Sequence, residues 1–330
     1  MNRLSVVVSC YNEAQGLEKF YRETAAVLKS CGWDCELLFV NDGSTDATVQ
    51  ILKGFAADDP KVKIVSFSRN FGHEAAMIAG IDYATGDGII CMDADLEHPP
   101  ECIPQIIAAF EAGNDVVSMV CTNRSDAGPI RRLTSRGFYR VLNMVSPIHF
   151  EENASDFFGI TRRVADVLRK DYRERVRYLR GFVQSVGFQR TRIEFEAGKR
   201  EHGGSHYSLF RLLSFSINTI CGFSDVPLKM GIYSGLIAAA CGVILIIYSI
   251  IMKACFNQPS GYTTVIVALC FLFALTLVVI GIIGEYIAIL LQETKQRPIY
   301  IVEEYVNVNV EKEDTHMSIP HQNVHLDRTN

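Results

Sequence analysis

The chain has little excess charge of either sign. Its 32 basic and 37 acidic side chains leave −5 with histidine neutral, and charged residues fill only 21% of its 330 positions. That balance excludes the strongly basic surface of a protein that wraps nucleic acid, so no nucleic-acid partner is expected. Cysteine is present ten times but never as a CxxC pair, and Cys241 and Cys270 lie inside strongly apolar runs. A disulfide framework is therefore not expected, and a reducing compartment fits. Neither GxGxxG nor GxxxxGKS/T follows the first apolar run, which argues against a dinucleotide-binding domain and a P-loop nucleotidase. That run, Leu4 to Val8, is too short for a secretory h-region and gives way to Tyr11, Asn12 and Glu13, so no cleavable signal is expected.

What the chain does have is apolar length. Hydrophobic residues make up 48% of it, and the mean hydropathy of +0.14 averages a polar first half with a greasy second half. Gly231 to Met252 and Thr263 to Gly284 are each 22 residues without a charge, about 33 Å as a helix, enough to span a hydrocarbon core. Asn257, Pro259, Ser260 and Gly261 lie between them and predict a turn, hence a two-helix hairpin through a lipid bilayer. Two buried helices of a soluble domain are the alternative, but adjacent uncharged runs of this length are rare there. Arg211 and Lys229 precede the first run and Lys295 and Arg297 follow the second, against Lys253 alone in the connection. The positive-inside rule then places both termini and the bulk of the chain in the cytoplasm, as a multi-pass protein of the cell inner (plasma) membrane. Tyr207 to Phe223 mixes aromatics and leucines with serines and suits either the headgroup layer or an amphipathic helix packed on the soluble part.

The first two hundred residues alternate short Val- and Ile-rich runs (Leu4–Ser9, Cys35–Val40, Val62–Phe67, Gly88–Met92, Asp115–Val120) with helix-like segments. This predicts an α/β fold, a mostly parallel sheet with helices on both faces, whose ligand sits beyond the carboxyl ends of the strands. The strand ends are polar: Tyr11-Asn12-Glu13, then Asn41 to Asp46, then Asp93-Ala94-Asp95. In extended backbone, residues i and i+2 point to one side, so Asp93 and Asp95 can address one hard cation, Mg²⁺ or Mn²⁺. An acidic pair in a loop is more often solvated or capping; its place after a buried strand is what favours a metal. Asn41-Asp42-Gly43-Ser44 also reads as an ordinary turn into a helix capped by Ser44 or Thr45, while Asp42 can accept hydrogen bonds from a nucleobase edge.

Taken in order, SVVVSCYNE (Ser5 to Glu13), VNDGSTD (Val40 to Asp46), SRNFGHEAAMIAGIDYATGD (Ser68 to Asp87) and MDADLEHPPE (Met92 to Glu101) resemble the family 2 glycosyltransferases of GT-A fold. Within them the chain is most similar to the polyprenyl-phosphate group, GtrB-like or dolichyl-phosphate mannose synthase-like. The likeness extends through the hairpin to IGEYIAILLQETKQRPIYIV (Ile283 to Val302). The resemblance implies inverting transfer of a sugar from a nucleotide diphosphate sugar to a polyprenyl phosphate at the cytoplasmic membrane face. UDP-glucose is the first expectation for the donor, with GDP-mannose or another UDP-sugar as runner-up.

The resemblance also implies roles. Asp42 would hold the base, with Tyr11, Asn12 and Glu13 lining the nucleotide pocket. Asp93 would approach ribose and donor, and Asp95 would ligate the metal. Gln is usual where this chain has Glu97, and Asp where it has His98. Ser155-Asp156-Phe157-Phe158 matches the segment with the catalytic aspartate, making Asp156 the candidate; a turn cap is the plainer alternative. A lipid phosphate is already ionised, so Asp156 would orient the acceptor or take a residual proton. In REHGGSHYS (Arg200 to Ser208), Arg200 and Ser205 would meet phosphates, and His206 stands where lysine is usual. Arg177 and Arg180 are further basic candidates, Arg177 equally readable as a solvated surface residue.

The expected division is residues 1–206 as a cytoplasmic catalytic domain, 207–229 juxtamembrane, 230–292 the two spans and 293–330 a cytoplasmic tail, mobile from Asn307 onward. A homo-oligomer is left open. Two rivals remain. A processive polysaccharide synthase normally carries QxxRW, and the sole tryptophan here is Trp33, far too early. A noncatalytic membrane scaffold would have no need of Asp93, Asp95 and Asp156 together.

Overall fold

The computed structural model describes residues 3–122, 154–175, 177–198, 224–256 and 262–309, with positions 137, 140, 143, 144, 151 and 221 singly. The chain forms two compact units. One comprises Met1–Tyr139, Ile148–His206 and Arg297–Asn330; the other comprises Arg140–Pro147 and Tyr207–Gln296.

In the first unit, β1 (Arg3–Cys10), β2 (Asp34–Asn41), β3 (Val62–Phe67) and β4 (Gly88–Asp93) are parallel, with β1 between β2 and β4. They alternate with α1 (Leu17–Ser30), α2 (Thr48–Asp58) and α3 (His73–Tyr83). After α4 (Ile103–Glu111) come β5 (Val116–Cys121), β6 (Ala154–Thr161), α5 (Arg162–Asp171), α6 (Leu179–Ser185) and β7 (Arg190–Phe195). β6 runs antiparallel between β4 and β5. The sheet is therefore mixed, in the order β7-β5-β6-β4-β1-β2-β3-β8, where β8 is Val302–Val306, antiparallel to β3. Residues 302–306 are thus part of the sheet and not of a tail, a correction to the expected boundary. The segment that brings them there is anchored by Tyr300, which stacks on Phe67 and donates to Asp82.

Alternation along β1 builds two layers. Leu4, Val6 and Val8 join Leu17, Phe20, Leu52 and Ile106 in one core, beneath α1, α2 and α4. Val7, on the other face, meets α3, whose residues Ala75 to Ile81 are all buried. The contact is so close at Gly80 that a Cβ there would lie 2.0 Å from Val7 Cγ1. α3 can lie on β1 only because residue 80 has no side chain.

The second unit holds α7 (Val226–Phe256) and α8 (Tyr262–Thr294). Both run past the uncharged segments, to 31 and 33 residues. α7 opens with Pro227, where a missing N–H costs nothing, after Ser224 Oγ has accepted from Val226 N–H. Tyr286 donates to the Ser224 carbonyl at 2.7 Å, joining the two helices at one end. Both are long and apolar enough to cross a membrane, and side chains such as Ile237 and Phe273 are two-thirds exposed. Apolar surface all round a helix needs lipid around it, so the unit is membrane-associated. Tyr207 to Phe223 lies almost wholly outside the described residues.

Candidate active site

The polar rim lies at the carboxyl ends of β1, β2 and β4, held together by loop-to-loop hydrogen bonds. Asn12, in the left-handed region at φ 57°, donates its N–H to Ser44 Oγ at 3.0 Å, and its Oδ1 accepts from Thr45 N–H at 2.8 Å. Glu13 N–H donates to Thr48 Oγ1. Ser44 and Thr45 are thereby occupied with the β1 loop and do not cap α2; Asp46 accepts from Thr48 N–H instead. Tyr11 is half exposed beside them. Asp42 is buried, and its two oxygens accept from Phe71 N–H (2.6 Å) and Gly72 N–H (2.9 Å). Burial pushes its carboxyl up, against the pull of those two N–H groups. Asp42 thus fixes the turn into α3, and only its remaining lone pairs can face a ligand.

At the end of β4, Asp93 and Asp95 flank a buried Ala94 and are both partly exposed, as the i, i+2 spacing requires. The turn closes with Leu96 at φ 62° and a bond from Glu97 N–H to Asp95 Oδ1. Beyond β7, Gly198 N–H donates to Glu97 O, and a Cβ on Gly198 would fall 2.2 Å from Leu96 O. The chain toward Arg200, Ser205 and His206 therefore leaves from this turn, although those three lie outside the described residues. Two carboxylates are hard oxygen donors that suit Mg²⁺ or Mn²⁺. Among the described residues no group of three His, Cys, Asp or Glu could hold an ion, so a cation here would need further oxygens, such as those of a bound diphosphate.

His98 explains how Asp156 comes to face this turn. The β4–β6 ladder runs to Cys91↔Phe158; one step further on, the imidazole of His98 stands between the strands. Nδ1 accepts from Asp93 N–H at 3.0 Å, which leaves the proton on Nε2, 2.8 Å from Ser155 Oγ. The ring is buried and stacks on Phe157. It works as a wedge that separates the strand ends bearing Asp93 and Asp156.

Asp156 Oδ1 receives Arg180 Nη2 at 2.7 Å and Nε at 3.1 Å. Burial would raise its pKa, but Arg180, followed by His73, holds the carboxyl far below the usual range. Arg180 is therefore committed to Asp156 here. Glu74 Oε2 accepts from Leu179 N–H, tying α3 to the start of α6, which carries Arg180. Burial, then the charge of Asp156, pushes Glu74 up to about 7. Arg177 is partly buried and donates to the Ile299 carbonyl, which removes the solvated-surface reading. Burial pushes its pKa down, while the nearby charges of Glu74 and Asp42 oppose the shift.

Sequence reasoning assigned no role to Ser9, His73, Glu74, His98 or Ser155. The one available signal was His73-Glu74 opening a helix directly after a strand-end turn.

A family model described as glycosyl transferase family 2 matches residues 5–196, and one described as GtrB C-terminal hairpin matches residues 226–290. The bactoprenol glucosyl transferase of Shigella phage SfX is 36% identical over 301 residues, 91% of this chain and 98% of that one. An uncharacterized glycosyltransferase of Bacillus subtilis is 35% identical over 95% of this chain and 98% of its own. Among solved structures, glucosyl-3-phosphoglycerate synthase from Mycobacterium tuberculosis, in complex with Mn²⁺, UDP-glucose and phosphoglyceric acid, aligns with a TM-score of 0.45. It is 18% identical and covers 68% of this chain and 81% of that one.

Proposed function

Because the chain belongs to glycosyl transferase family 2, we propose that it transfers glucose, with inversion, from a nucleotide diphosphate donor to a polyprenyl phosphate at a membrane surface. UDP-glucose is the donor we favour, ahead of GDP-mannose or another UDP-sugar. One observation carries this reading. Asp93, Asp95 and the Asp156–Arg180 pair converge at the carboxyl end of the sheet, in a chain that also bears two lipid-suited helices.

A phosphate oxygen of the lipid attacks the anomeric carbon as the bond from that carbon to the nucleotide diphosphate breaks. The acceptor is already an anion, so no base is needed, and no covalent enzyme intermediate forms. Asp156, kept ionised by Arg180, orients the acceptor and the guanidinium beside it. Tyr11, Asn12, Glu13 and Asp42 line the nucleotide side, and Arg177, Arg200, Ser205 and His206 supply donors to phosphates. Asp93 and Asp95 would hold Mg²⁺ or Mn²⁺, which offsets the charge of the departing diphosphate.

The hairpin keeps the catalytic domain within reach of an acceptor whose tail stays in the bilayer, with the domain and both termini on the cytoplasmic side. The test incubates membranes containing the full chain with labelled nucleotide sugars, undecaprenyl phosphate and Mg²⁺. Label is expected in the organic extract with UDP-glucose and lost in Asp95→Ala. Label that stays aqueous with every donor contradicts the reading.

A further inference from the structure

His73 has no part in the reaction just described, yet it stands at the centre of the rim, and the fold fixes it there. It lies seven residues before Gly80, two helical turns, and so on the same face of α3. Ser9 lies two residues beyond Val7, on the same face of β1. The close approach of Gly80 to Val7 therefore hangs His73 over Ser9. Ser9 Oγ donates to Asp93 Oδ1 at 3.0 Å, so its contact with His73 Nδ1, also 3.0 Å, takes the proton of Nδ1.

Nδ1 is thus committed to the donor side of the site. Nε2 looks the other way, toward Asp156 Oδ2 at 3.9 Å, beyond hydrogen-bond reach, and has no hydrogen-bond partner among the described residues. The side chain is 38% exposed, so a ligand can reach it.

We propose that His73 is a substrate-contacting residue whose Nε2 donates to a phosphoryl oxygen in the gap between Asp93 and Asp156, where the sugar changes hands. A ring N–H turned away from Ser9 is a suitable donor to an anionic oxygen. The assignment rests on the transfer reading above. The oxygen belongs either to the donor diphosphate or to the lipid phosphate.

Two amide substitutions separate the ring nitrogens. His73→Asn keeps an N–H near Nδ1 and loses Nε2, whereas His73→Gln keeps one near Nε2 and loses the bond to Ser9. In the full-length protein in membranes, with UDP-glucose and undecaprenyl phosphate, His73→Gln is expected within about tenfold of wild-type kcat/KM, and His73→Asn down on the order of 100-fold. If the oxygen is the lipid's, His73→Asn raises the KM for undecaprenyl phosphate and leaves UDP affinity unchanged; if it is the donor's, UDP affinity weakens in step. His73→Ala, checked for folding by its thermal midpoint, is expected to regain activity with added imidazole.

His73→Asn matching or exceeding His73→Gln overturns the proposal, because the ring then serves only Ser9 and Asp93. Wild-type activity in both variants overturns it as well. A wild-type protein inactive with every donor and lipid instead refutes the transfer reading itself, and the His73 assignment with it.

Discussion

Arg180→Gln cuts the strongest electrostatic contact of the site. In the wild type, two guanidinium nitrogens lie 2.7 and 3.1 Å from one oxygen of Asp156, with the side chains only 17% and 30% exposed. Without them the carboxylate is left half-buried beside Glu74, whose own proton is already held up to about 7. Breaking a fully buried pair costs about 3–5 kcal/mol. With Asp156 open to water on one side, about 2–3 kcal/mol is expected here, a fall of roughly 5–10 °C in thermal midpoint for a domain of this size. The folded pKa of Asp156 is depressed, so its contribution is present above the unfolded value of about 3.9 and fades as pH falls below it. Thermal unfolding of detergent-solubilised wild type and variant should differ fully at pH 7, and the difference should shrink progressively as the pH falls below about 4. Organic-extractable label at pH 7 should fall on the order of 100-fold through kcat, with the KM for UDP-glucose little changed. Arg180→Lys should recover only part, since a point charge cannot place two fixed N–H groups on one oxygen. A midpoint difference that does not shrink as the pH falls below about 4, or an unchanged kcat, would refute the reasoning.

Further consequences follow from the packing. Gly80→Ala forces a methyl into Val7 and should cost about 1–3 kcal/mol, with a loss of transfer larger than the stability loss explains, because α3 carries His73; denaturant unfolding and kcat measured together check this. Ser155→Ala leaves the buried Nε2–H of His98 without its acceptor and should cost about 1–3 kcal/mol, whereas an unchanged thermal midpoint would remove the wedge from the account. Glu36 is buried, yet Lys63, followed by Ser5 and Thr85, brings its pKa down from 4.5 to about 2. Its stabilisation, about 3 kcal/mol, is present above pH 4.5 and lost as pH falls toward 2, so the acid side of the wild-type stability profile should be much shallower in Glu36→Gln.

The parallel core was legible because β1 to β5 are short runs of mostly buried apolar residues, and a strand buried on both faces announces itself by composition. The later strands were not. β7, RTRIEF, alternates charge with apolar residues at a sheet edge, and β8 returns to β3 only after the whole hairpin has intervened. The acidic candidates came from motif and position, Asp93 and Asp95 by spacing and Asp156 by likeness. The two histidines were not, because their meaning lies in partners far away along the chain: Ser9 is 64 residues from His73, and Ser155 is 57 from His98. No local pattern encodes such pairs; they exist only once α3 has settled on β1 and β6 has inserted beside β4.

The claim beneath all of this is a single displacement that joins the sugar to a lipid phosphate, and the anomeric configuration of the product reads it directly. Wild-type protein given α-configured UDP-glucose and undecaprenyl phosphate should yield a lipid-linked glucose whose new glycosyl phosphate bond is β, as seen in its proton coupling constants. An α-linked product, or glucose found only on soluble alcohols, would contradict the account.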